Sequence, residues 1–469
     1  MNEIGGNKIL LEDRGTKIFL DFGKSFASRA KFFEWTEGPR LANGLGDFLA
    51  LGILPKFSGI YRRDLLRLAK LPELENCAVQ AVVLSHAHSD HADYISFLRD
   101  DIELYMGETT NHVIRAIEED RNSSMEYEIT SFRERPLKKG RQTKDPINRK
   151  IHNFRTGRKI VIDSIEIEPI HVDHSLPGCY GMIIHTSSGT LVYSGDLRMH
   201  GTRPDLTKDF IEKAREAKPD WMLCEGTRIN ESYINDEASV YHTCRQFAGL
   251  ANERGLFIFA DYSYKDIDRF QTFYKIAKNS SRKLIVTPKT ARYLKLLAEK
   301  DAELSKVIPS VEKDDSMAIY KNRVKTGSYS DEDYDDTDLE LFHNADVWTS
   351  ADVQGKKDKV ILAIGGFHLQ ELIDLNPGAG IYMHSSSEPF NEEGELDDAR
   401  TNNWIERFGM VRVHAHCSGH ASGWDLHQIL EEISPRKIIP IHTEHPEYFR
   451  MFHGEYVSMA EPEKPLVLG

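Results

Sequence analysis

The sequence has few cysteines and no long apolar run. Its 469 residues include five cysteines, none of them in a Cys-x-x-Cys pair, so neither a disulfide framework nor a thiolate zinc site is predicted. No apolar stretch approaches the roughly 20 residues that a membrane helix needs, and the first residues, MNEIGGNK, lack the basic and apolar regions of a signal peptide. We therefore expect a cytoplasmic protein without a membrane partner.

The sequence has no excess of positive charge, since 74 acidic residues outnumber 60 lysines and arginines and the formal net charge is -14. Residues 121–160 are an exception, with twelve lysines and arginines against four acidic residues. This stretch could form an arm that follows the backbone of a bound nucleic-acid strand, or a solvated surface insertion, and the sequence leaves both open. Acidic residues are concentrated elsewhere, as in residues 328–340 (SYSDEDYDDTDLE), which we expect to form an exposed loop.

Residues 86–91, HAHSDH, place three imidazoles and a carboxylate in one short segment. They follow a short, apolar, β-branched run at residues 79–84 that predicts a buried strand, and the apolar spacing of residues 91–100 predicts a helix. The segment should therefore form a strand-to-helix turn. From such a turn the first two histidines can bind one ion, and Asp90 and His91 a second ion. Imidazole and carboxylate ligands suit zinc, with manganese or iron as alternatives.

Candidate ligands recur after three other strand-like runs. The runs are residues 164–170, 190–194 and 437–441, and the candidates that follow them are His174, Asp196 and His442. Loops at one edge of a sheet in a layered α/β domain bring polar groups from distant segments together. We therefore predict two ion sites that share Asp196. The first comprises His86, His88, His174 and Asp196, and the second comprises Asp90, His91, Asp196 and His442.

The motifs HAHSDH, DHSLPG at residues 173–178 and YSGDLR at residues 193–198 resemble those of metallo-β-lactamase-fold hydrolases. The opening segment is similar to the first β-hairpin of that fold and ends at Asp21, for which the resemblance implies a role in bracing the metal loop. Three later segments resemble the β-CASP nucleases, and most closely the ribonuclease J family. These segments are CEGT at residues 224–227, HCSGHA at residues 416–421 and PIHTE at residues 440–444.

The resemblance spans nearly the whole chain and implies an α/β fold, a metallo-β-lactamase αββα sandwich with an inserted β-CASP domain. The predicted domains are residues 1–228, the inserted domain at residues 229–400, and a return to the first domain at residues 401–469. Strand and helix patterns alternate within the insertion, which predicts a parallel sheet flanked by helices. The predicted strands are residues 256–260, 283–287, 359–365 and 380–386, and the predicted helices are residues 265–278 and 290–300.

The resemblance also implies a reaction. A hydroxide activated by two zinc ions, or by manganese, would attack an RNA phosphodiester and leave a 5′ phosphate and a 3′ hydroxyl. Besides the metal ligand Asp90, the implied catalytic residues are His420, which would give a proton to the leaving 3′ oxygen, and Glu225, which would orient His420 or contact the phosphate. A histidine at the position of His442 accompanies the RNA-processing members. We therefore expect a zinc-dependent ribonuclease, as a 5′-to-3′ exonuclease, an endonuclease or both.

The resemblance also suggests residues that could bind the substrate phosphate. Ser385, Ser386 and Ser387 occupy the place of a phosphate-binding segment in ribonuclease J proteins, but the surrounding residues depart from the family pattern, so a plain serine-rich turn is an equal alternative. Ser418 and Gly419 fit the phosphate role better because they precede His420. For His416 the resemblance implies a place near the substrate phosphate, although its spacing from a second histidine would also suit an ion.

Three other functions remain open at this stage. A DNA nuclease of the same superfamily would use the same ligands, a small-molecule metallo-hydrolase would need neither the later motifs nor the inserted domain, and an inactive RNA-binding protein would not need intact ligands. The expected partner is RNA, and the family also makes a homodimer an expectation.

Overall fold

The computed structural model describes residues 3–33, 37–120, 124–136, 145–387 and 392–468, and it divides the chain into two compact units. Unit 1 lies within residues 1–199, 203–233 and 419–469, and unit 2 lies within residues 200–202 and 234–418. The domain limits expected from the sequence stay a prediction. Unit 2 continues past residue 400 because the strand at residues 410–414 belongs to its sheet.

The first part of unit 1 contains strands β1 to β12 and helices α1 to α6. The strands are β1 Ile9–Asp13, β2 Thr16–Leu20, β3 Ala81–Leu84, β4 Glu103–Gly107, β5 Ser131–Phe132, β6 Ile147–Asn148, β7 Ile151–Phe154, β8 Ile160–Ile162, β9 Ile165–Val172, β10 Cys179–Thr186, β11 Gly189–Tyr193 and β12 Trp221–Glu225. The helices are α1 Phe26–Ala30, α2 Gly46–Ala50, α3 Arg63–Leu68, α4 Ser89–Ala92, α5 Glu108–Asp120 and α6 Pro204–Glu216.

Unit 2 alternates helices with strands. In chain order these are α7 Glu237–Arg254, β13 Phe257–Asp261, α8 Ile267–Asn279, β14 Lys283–Val286, α9 Pro288–Lys300, β15 Met317–Tyr320, α10 Asp336–Asn344, β16 Val347–Trp348, α11 Ser350–Gly355, β17 Val360–Ala363, α12 Glu371–Leu375, β18 Gly380–His384, α13 Glu392–Arg407 and β19 Met410–His414. The strands form one sheet in the order β16-β15-β14-β17-β13-β18-β19, and its ladders are parallel. The predicted parallel sheet is confirmed.

The chain then returns to unit 1 with α14 Gly423–Ile433, β20 Lys437–Ile441 and α15 Pro446–His453. Strand β20 has the limits that the sequence predicts. Capping of α14 is reciprocal, because the side chain of Ser422 accepts from the Asp425 backbone N–H and the Asp425 carboxylate accepts from the Ser422 backbone N–H. Such a box satisfies two backbone donors that a helix leaves unpaired and fixes where the helix begins.

Two sheets face each other in unit 1. One has the order β1-β2-β3-β4-β7 and the other has the order β20-β12-β11-β10-β9-β8. Ile18 and Val83 of the first sheet share one buried core with Ile167, Met182 and Ile439 of the second. Burying a side chain of this size contributes roughly 1.5–3 kcal/mol. Helix α5 packs on β4 and β7, and α6 packs on β9 and α14, so both sheets carry helices. The predicted mixed α/β sandwich is confirmed.

The helix predicted for residues 91–100 is wrong in part. Helix α4 ends at Ala92, residues 93–97 form a 3-10 turn, and Leu98 is extended. The backbone carbonyls that would continue the helix have other donors, because those of Ser89 and His91 accept N–H groups from Lys24 and Phe22. The segment after β2 therefore stops the helix and holds the HAHSDH segment in place.

The acidic segment at residues 328–340 is not simply a loop. Helix α10 begins within it, and the Asp335 side chain caps this helix by accepting from the Asp338 backbone N–H at 2.8 Å. Acidic residues in a first helical turn are stabilised by the positive end of the helix dipole. This placement explains part of the acidic run as a helix start.

Much of the positive charge at residues 121–160 is already paired. Arg149 is buried and donates to the backbone carbonyls of Leu98 and Arg99, while Arg135 pairs with Glu128 and Lys159 pairs with Glu166. Residues 121–123 and 137–144, which carry part of the predicted arm, lie outside the described residues. None of the helices in the described parts of the chain combines the length and apolar character required to cross a bilayer.

Candidate metal centre

The candidate ligands lie just beyond the carboxyl ends of strands in unit 1. His86 follows β3, His174 follows β9, Asp196 follows β11 and His442 follows β20. Strands β11, β12 and β20 are parallel neighbours, so their carboxyl ends meet at one edge of the sheet. The register pairs Glu225 with the residue before His442. The topology thus gathers residues that are far apart in the sequence.

The first predicted ion site is assembled. His88 Nδ1 lies 3.0 Å from His86 Nε2 and 3.0 Å from His174 Nε2. Asp196 Oδ2 lies 3.5 Å from His86 Nε2 and 3.9 Å from His174 Nε2. Four ligands around tetrahedral zinc, at bond lengths of about 2.0–2.1 Å, stand roughly 3.3 Å apart. The four donor atoms therefore have the spacing of a zinc site.

The second predicted site is assembled beside it. His442 Nε2 lies 3.0 Å from Asp90 Oδ2, and His91 Nε2 lies 3.1 Å from Asp196 Oδ2. His91 Nε2 is 3.7 Å from Asp90 Oδ2, and His442 Nε2 is 3.9 Å from Asp196 Oδ2. Asp196 Oδ2 lies within 4 Å of ligand atoms in both predicted sites, and Asp196 also forms a metal-capable group with His420 and His442. We call the seven residues of the two sites the metal cluster.

The outward hydrogen bonds of four histidines decide which nitrogen carries the proton. His91 Nδ1–H donates to Asp21 at 2.6 Å, His442 Nδ1–H donates to Thr227 Oγ1 at 2.8 Å, and His174 Nδ1–H donates to the Gly419 carbonyl. His86 Nδ1–H donates to Ser85 Oγ at 2.9 Å, since that hydroxyl gives its own proton to Asp21. Each Nε2 therefore directs a lone pair into the cluster.

Two of the converging atoms have no hydrogen-bond partner among the described residues. His91 Nε2 and Asp196 Oδ1 are buried and have no hydrogen-bond partner, although His91 Nε2 faces a carboxylate oxygen. Burial lowers the pKa of His86 and of His174 well below the ordinary value, which keeps both rings neutral. Burial alone would raise the pKa of Asp196, but the surrounding imidazoles hold it well below its usual range. Burial alone would lower the pKa of His91, but the carboxylates of Asp196, Asp90 and Asp21 outweigh it and raise the pKa. A divalent cation would take the place of a proton among such ionised carboxylates and imidazoles.

Asp21 braces the cluster from the first hairpin, as the sequence leads us to expect. Its Oδ2 accepts from His91, from the Ser85 hydroxyl at 2.8 Å and from the Tyr193 hydroxyl at 2.5 Å, and its Oδ1 accepts the Ser85 backbone N–H at 2.7 Å. Ser85, Tyr193 and Thr227 were not identified from the sequence. The sequence feature that could have pointed to them is their position in or next to a motif, since Ser85 precedes HAHSDH, Tyr193 begins YSGDLR and Thr227 ends CEGT.

Backbone strain and close backbone contacts concentrate around the cluster. Asp21 has φ +59° and His442 has φ +50°, in the left-handed region that non-glycine residues rarely adopt. A Cβ on Gly23 would lie 1.6 Å from the Asp90 carbonyl oxygen, so the hairpin segment approaches the metal loop at a distance that only glycine permits.

His420 and Glu225 form a pair at the rim of the cluster. His420 Nδ1–H donates to Glu225 Oε1 at 3.3 Å, and Glu225 is fully buried, with Oε2 accepting the Thr227 backbone N–H at 2.9 Å. Burial alone lowers the pKa of His420, but the carboxylates of Glu225 and Asp196 outweigh it and raise the pKa. Glu225 is thereby placed to orient a protonated His420.

Gly419, a predicted phosphate-binding residue, also contacts the candidate ligand His174. Its carbonyl accepts from His174, and a Cβ on Gly419 would lie 2.8 Å from the His174 ring and 2.7 Å from Ser175 Oγ. The glycine therefore permits a backbone carbonyl to approach and orient a metal ligand.

The other candidate phosphate residues belong to unit 2. Ser385 is buried, and its hydroxyl donates to the Ala415 carbonyl and accepts from Arg269 Nη1 at 2.6 Å. Its hydrogen bonds are thus made inside the unit, whereas Ser386 and Ser387 are partly exposed. Burial and the neighbouring Arg269 lower the pKa of His416 to about 3. Ser418 is buried, and its carbonyl accepts from His200 Nε2 at 2.8 Å.

Arg269 is a buried residue that sequence reasoning missed. It pairs with Glu237 at 3.0 Å, donates to the Ser385 carbonyl at 2.6 Å and lies 3.4 Å from His416 Nδ1. It therefore joins the serine segment to the segment that carries motif HCSGHA. An arginine on a long amphipathic helix gives no sequence signal that separates it from a surface charge.

Comparison with known proteins finds two matching family models. Residues 60–254 match the β-lactamase superfamily domain, and residues 410–451 match the Zn-dependent metallo-hydrolase RNA specificity domain. These two parts of the chain are therefore similar to metallo-hydrolase domains. The superfamily motifs HAHSDH and YSGDLR and the glutamate of CEGT lie within the first match, and HCSGHA and His442 lie within the second.

Similar proteins include several called ribonuclease J. That of Mycoplasma pneumoniae is 22% identical over 95% of this chain and 67% of its own length, and that of Helicobacter pylori is 22% identical over 100% of this chain and 58% of its own length. That of Pyrococcus abyssi is 23% identical over 98% of this chain and 91% of its own length. The crystal structure of a protein of unknown function from Enterococcus faecalis V583 has the same fold, with a TM-score of 0.70 and 21% identity over 99% of this chain and 96% of that one.

Proposed function

We propose that this chain is a metal-dependent ribonuclease that hydrolyses RNA phosphodiester bonds and leaves a 5′ phosphate and a 3′ hydroxyl. The convergence of seven candidate ligand side chains, whose ligand atoms lie within 4.8 Å of one another in groups of three or four, is the observation that carries this proposal. The match of residues 410–451 to an RNA specificity domain and the similarity to ribonuclease J proteins support RNA as the substrate.

Two zinc ions suit the cluster, with manganese as an alternative. His86, His88, His174 and Asp196 would hold one ion, and Asp90, His91, Asp196 and His442 would hold the other. When bound, such ions lower the pKa of coordinated water and neutralise charge on a phosphoryl group. The bracing contacts of Asp21 and Thr227 would keep the ligand rings in the orientation that binding needs.

His420 is the proposed proton donor. With Nδ1–H held by Glu225, its opposite nitrogen, Nε2, is the one that can give a proton to the leaving 3′ oxygen. Glu225 makes this donation effective in two ways, because it orients the ring and its charge favours the protonated form. The role of Glu225 is thus to position His420.

For the phosphate groups of RNA we propose contacts from Ser386, Ser387, His416 and Ser418. The hydroxyl of Ser385 is less suited because Arg269 and the Ala415 carbonyl already use it. Gly419 is better described as a support for His174. These assignments make Arg269 the residue that holds the proposed contacts in place.

Cleavage of defined RNAs tests the proposal. Purified protein would be incubated with 5′-monophosphorylated, 5′-hydroxyl and circular RNAs of one sequence, and with DNA of that sequence, with and without a chelator. Nucleotide release restricted to the first RNA would indicate a 5′ exonuclease, and opening of the circle would indicate an endonuclease. Equal cleavage of the DNA would contradict the choice of RNA.

A matched pair of variants links any cleavage to the cluster. Asp196→Asn removes the carboxylate shared by the two sites, whereas Asp209→Asn changes a half-exposed aspartate on α6 that pairs with Lys213. Loss of activity in the first variant alone is expected. Activity that survives both the chelator and Asp196→Asn would overturn the enzyme assignment.

The similarity to ribonuclease J proteins also motivates two further proposals, which are a cytoplasmic location and a homodimer. Sedimentation equilibrium at micromolar concentrations would test the dimer, and cell fractionation would test the location.

A further inference from the structure

A second group of metal-ligating side chains lies on two helices of unit 1. His427 and Glu431 are one turn apart on α14, and His453 is the last residue of α15. Each offers a ligand atom, and the three atoms lie within 4.8 Å of one another. We call these three residues the helix cluster. It shares no residue with the metal cluster.

One ligand atom from each residue of the helix cluster lies within 4.8 Å of the other two, so one ion could join them through a single nitrogen of His453. His427 Nδ1 lies 3.5 Å from His453 Nε2, and His453 Nδ1 lies 3.8 Å from Glu431 Oε1. The His453 side chain is 8% exposed and the Glu431 side chain is 66% exposed, so a buried imidazole faces a solvent-accessible carboxylate. An ion could enter from the exposed side and reach the buried ring.

The two helices present these groups in fixed positions. Residues four apart on a helix project from one face, which is the spacing of His427 and Glu431. Helix α14 starts at the Ser422–Asp425 capping box, and α15 starts with Pro446 in its first turn. The burial of His453 fixes the third ligand. Little conformational entropy would therefore be lost when an ion binds.

We propose that His427, Glu431 and His453 bind one divalent transition-metal ion of the zinc class. Two imidazoles and a carboxylate form the ligand set of open zinc sites, and imidazole also suits nickel and copper, whereas magnesium and calcium prefer oxygen ligands alone. The ion would tie the end of α15 to α14. This site goes beyond the proposed ribonuclease function and takes no part in hydrolysis.

The alternative to a metal is a chain of hydrogen bonds in which one proton lies between the two imidazoles and another lies between His453 and Glu431. Such a chain would leave the same coordinates but would bind no ion.

Trp424 supplies a local signal. Its ring centroid lies 5.7 Å from that of His427, and the residue is 58% exposed. Copper and nickel ions quench the fluorescence of a nearby indole, so an ion in the helix cluster should quench Trp424. Comparison of the native sequence with Trp424→Phe isolates this signal from the other tryptophans.

The test uses untagged full-length protein whose metal content has been brought to two zinc equivalents. Titration with zinc chloride against a chromophoric chelator should show one further equivalent, and titration with nickel chloride should quench a component that is absent from Trp424→Phe. His453→Gln and His427→Ala should each lose the further equivalent and the quenching. Circular dichroism of the metal-free variants would show whether they fold.

A conservative pair of glutamate variants keeps the test informative even if a histidine variant misfolds. Glu431→Gln removes an exposed carboxylate of the cluster and should weaken the further equivalent about tenfold or more, whereas Glu432→Gln changes the adjacent exposed glutamate and should leave it unchanged. Equal zinc stoichiometry and equal nickel quenching in the native protein, Glu431→Gln and His427→Ala would overturn the proposal.

Discussion

The metal cluster and the helix cluster are both built from histidines and carboxylates, but the protein surrounds them differently. In the metal cluster four rings give their outward N–H to a carboxylate, a hydroxyl or a carbonyl, so the protein fixes which nitrogen faces inward. In the helix cluster the two imidazoles face each other, and the carboxylate is mostly in solvent. Outer hydrogen bonds orient ligands and raise their basicity. The comparison shows that the protein orients the candidate ligands of the first cluster through outer hydrogen bonds, whereas the candidate ligands of the second mostly contact one another. We therefore expect the first cluster to bind its proposed ions more tightly than the second.

Asp196→Ala should have the largest effect, because it removes the oxygen common to both sites of the metal cluster and leaves facing imidazoles without their buried counter-charge. We expect RNA cleavage to fall to the level of chelator-treated protein and the two zinc equivalents of this cluster to be lost. Elemental analysis and an RNA cleavage assay measure both. The helix cluster should keep its ion, and loss of that ion as well would break the distinction between the clusters.

His420→Ala should separate chemistry from metal binding. Because His420 is the proposed proton donor and not a ligand, kcat should fall by roughly 10²–10⁴-fold, while the zinc content stays unchanged. Single-turnover cleavage and elemental analysis on the same preparation check this. His427→Ala is the matched control and should cleave RNA at the native rate. Zinc loss in His420→Ala would assign that residue to the ligands instead.

Asp21→Asn tests whether the outer hydrogen bonds account for the difference between the clusters. The amide can keep only part of the four hydrogen bonds that Asp21 accepts, so His91 and Ser85 lose their anchor. We expect a loss of roughly 10–100-fold in zinc affinity or activity, measured by chelator competition. Asp209→Asn serves as the control. An unchanged zinc affinity would mean that the sheet edge alone orients the ligands.

Glu431→Gln should have the smallest effect. The affinity of the helix cluster for its ion should fall by about one order of magnitude, about 1.4 kcal/mol. The value of kcat should stay within about twofold of the native value, since Glu431 has no proposed role in hydrolysis. Zinc titration and the cleavage assay measure the two quantities. A matching fall in kcat would show that the two clusters are not independent.

Local patterns predicted the strands well, and they predicted that the candidate ligands follow strand ends, because both signals are short-range. Strand β20 has its predicted limits because KIIPI is apolar throughout and is ended by a polar residue, and the HAHSDH segment lies at a turn because an apolar run ends beside it. The helix predicted after that segment does not continue because the carbonyl of His91 accepts the N–H of Phe22, a residue 69 positions earlier in the chain. Hydrogen bonds from such distant residues cannot be predicted from the spacing of apolar residues within the segment.

The bracing residues could not be predicted because their types are ordinary. A serine, a tyrosine and a threonine become part of the site only when Ser85, Tyr193 and Thr227 are brought beside Asp21 and His442. The same holds for Arg269 and for His453, whose roles depend on burial by elements distant in the chain. The contact of the Gly419 carbonyl with His174 was likewise not predicted, because only the fold brings the two residues together.

The amino-acid sequence alone determined which side chains can ligate a metal ion. It also determined that these side chains follow the ends of strands, because the alternation of apolar runs and polar turns is a local property. Tertiary structure decided which nitrogen of each ring faces inward, which aspartate oxygen is shared, and that His427 and Glu431 meet His453. These outcomes depend on hydrogen bonds and burial between distant segments, whose geometry exists only once the sheets and helices have packed.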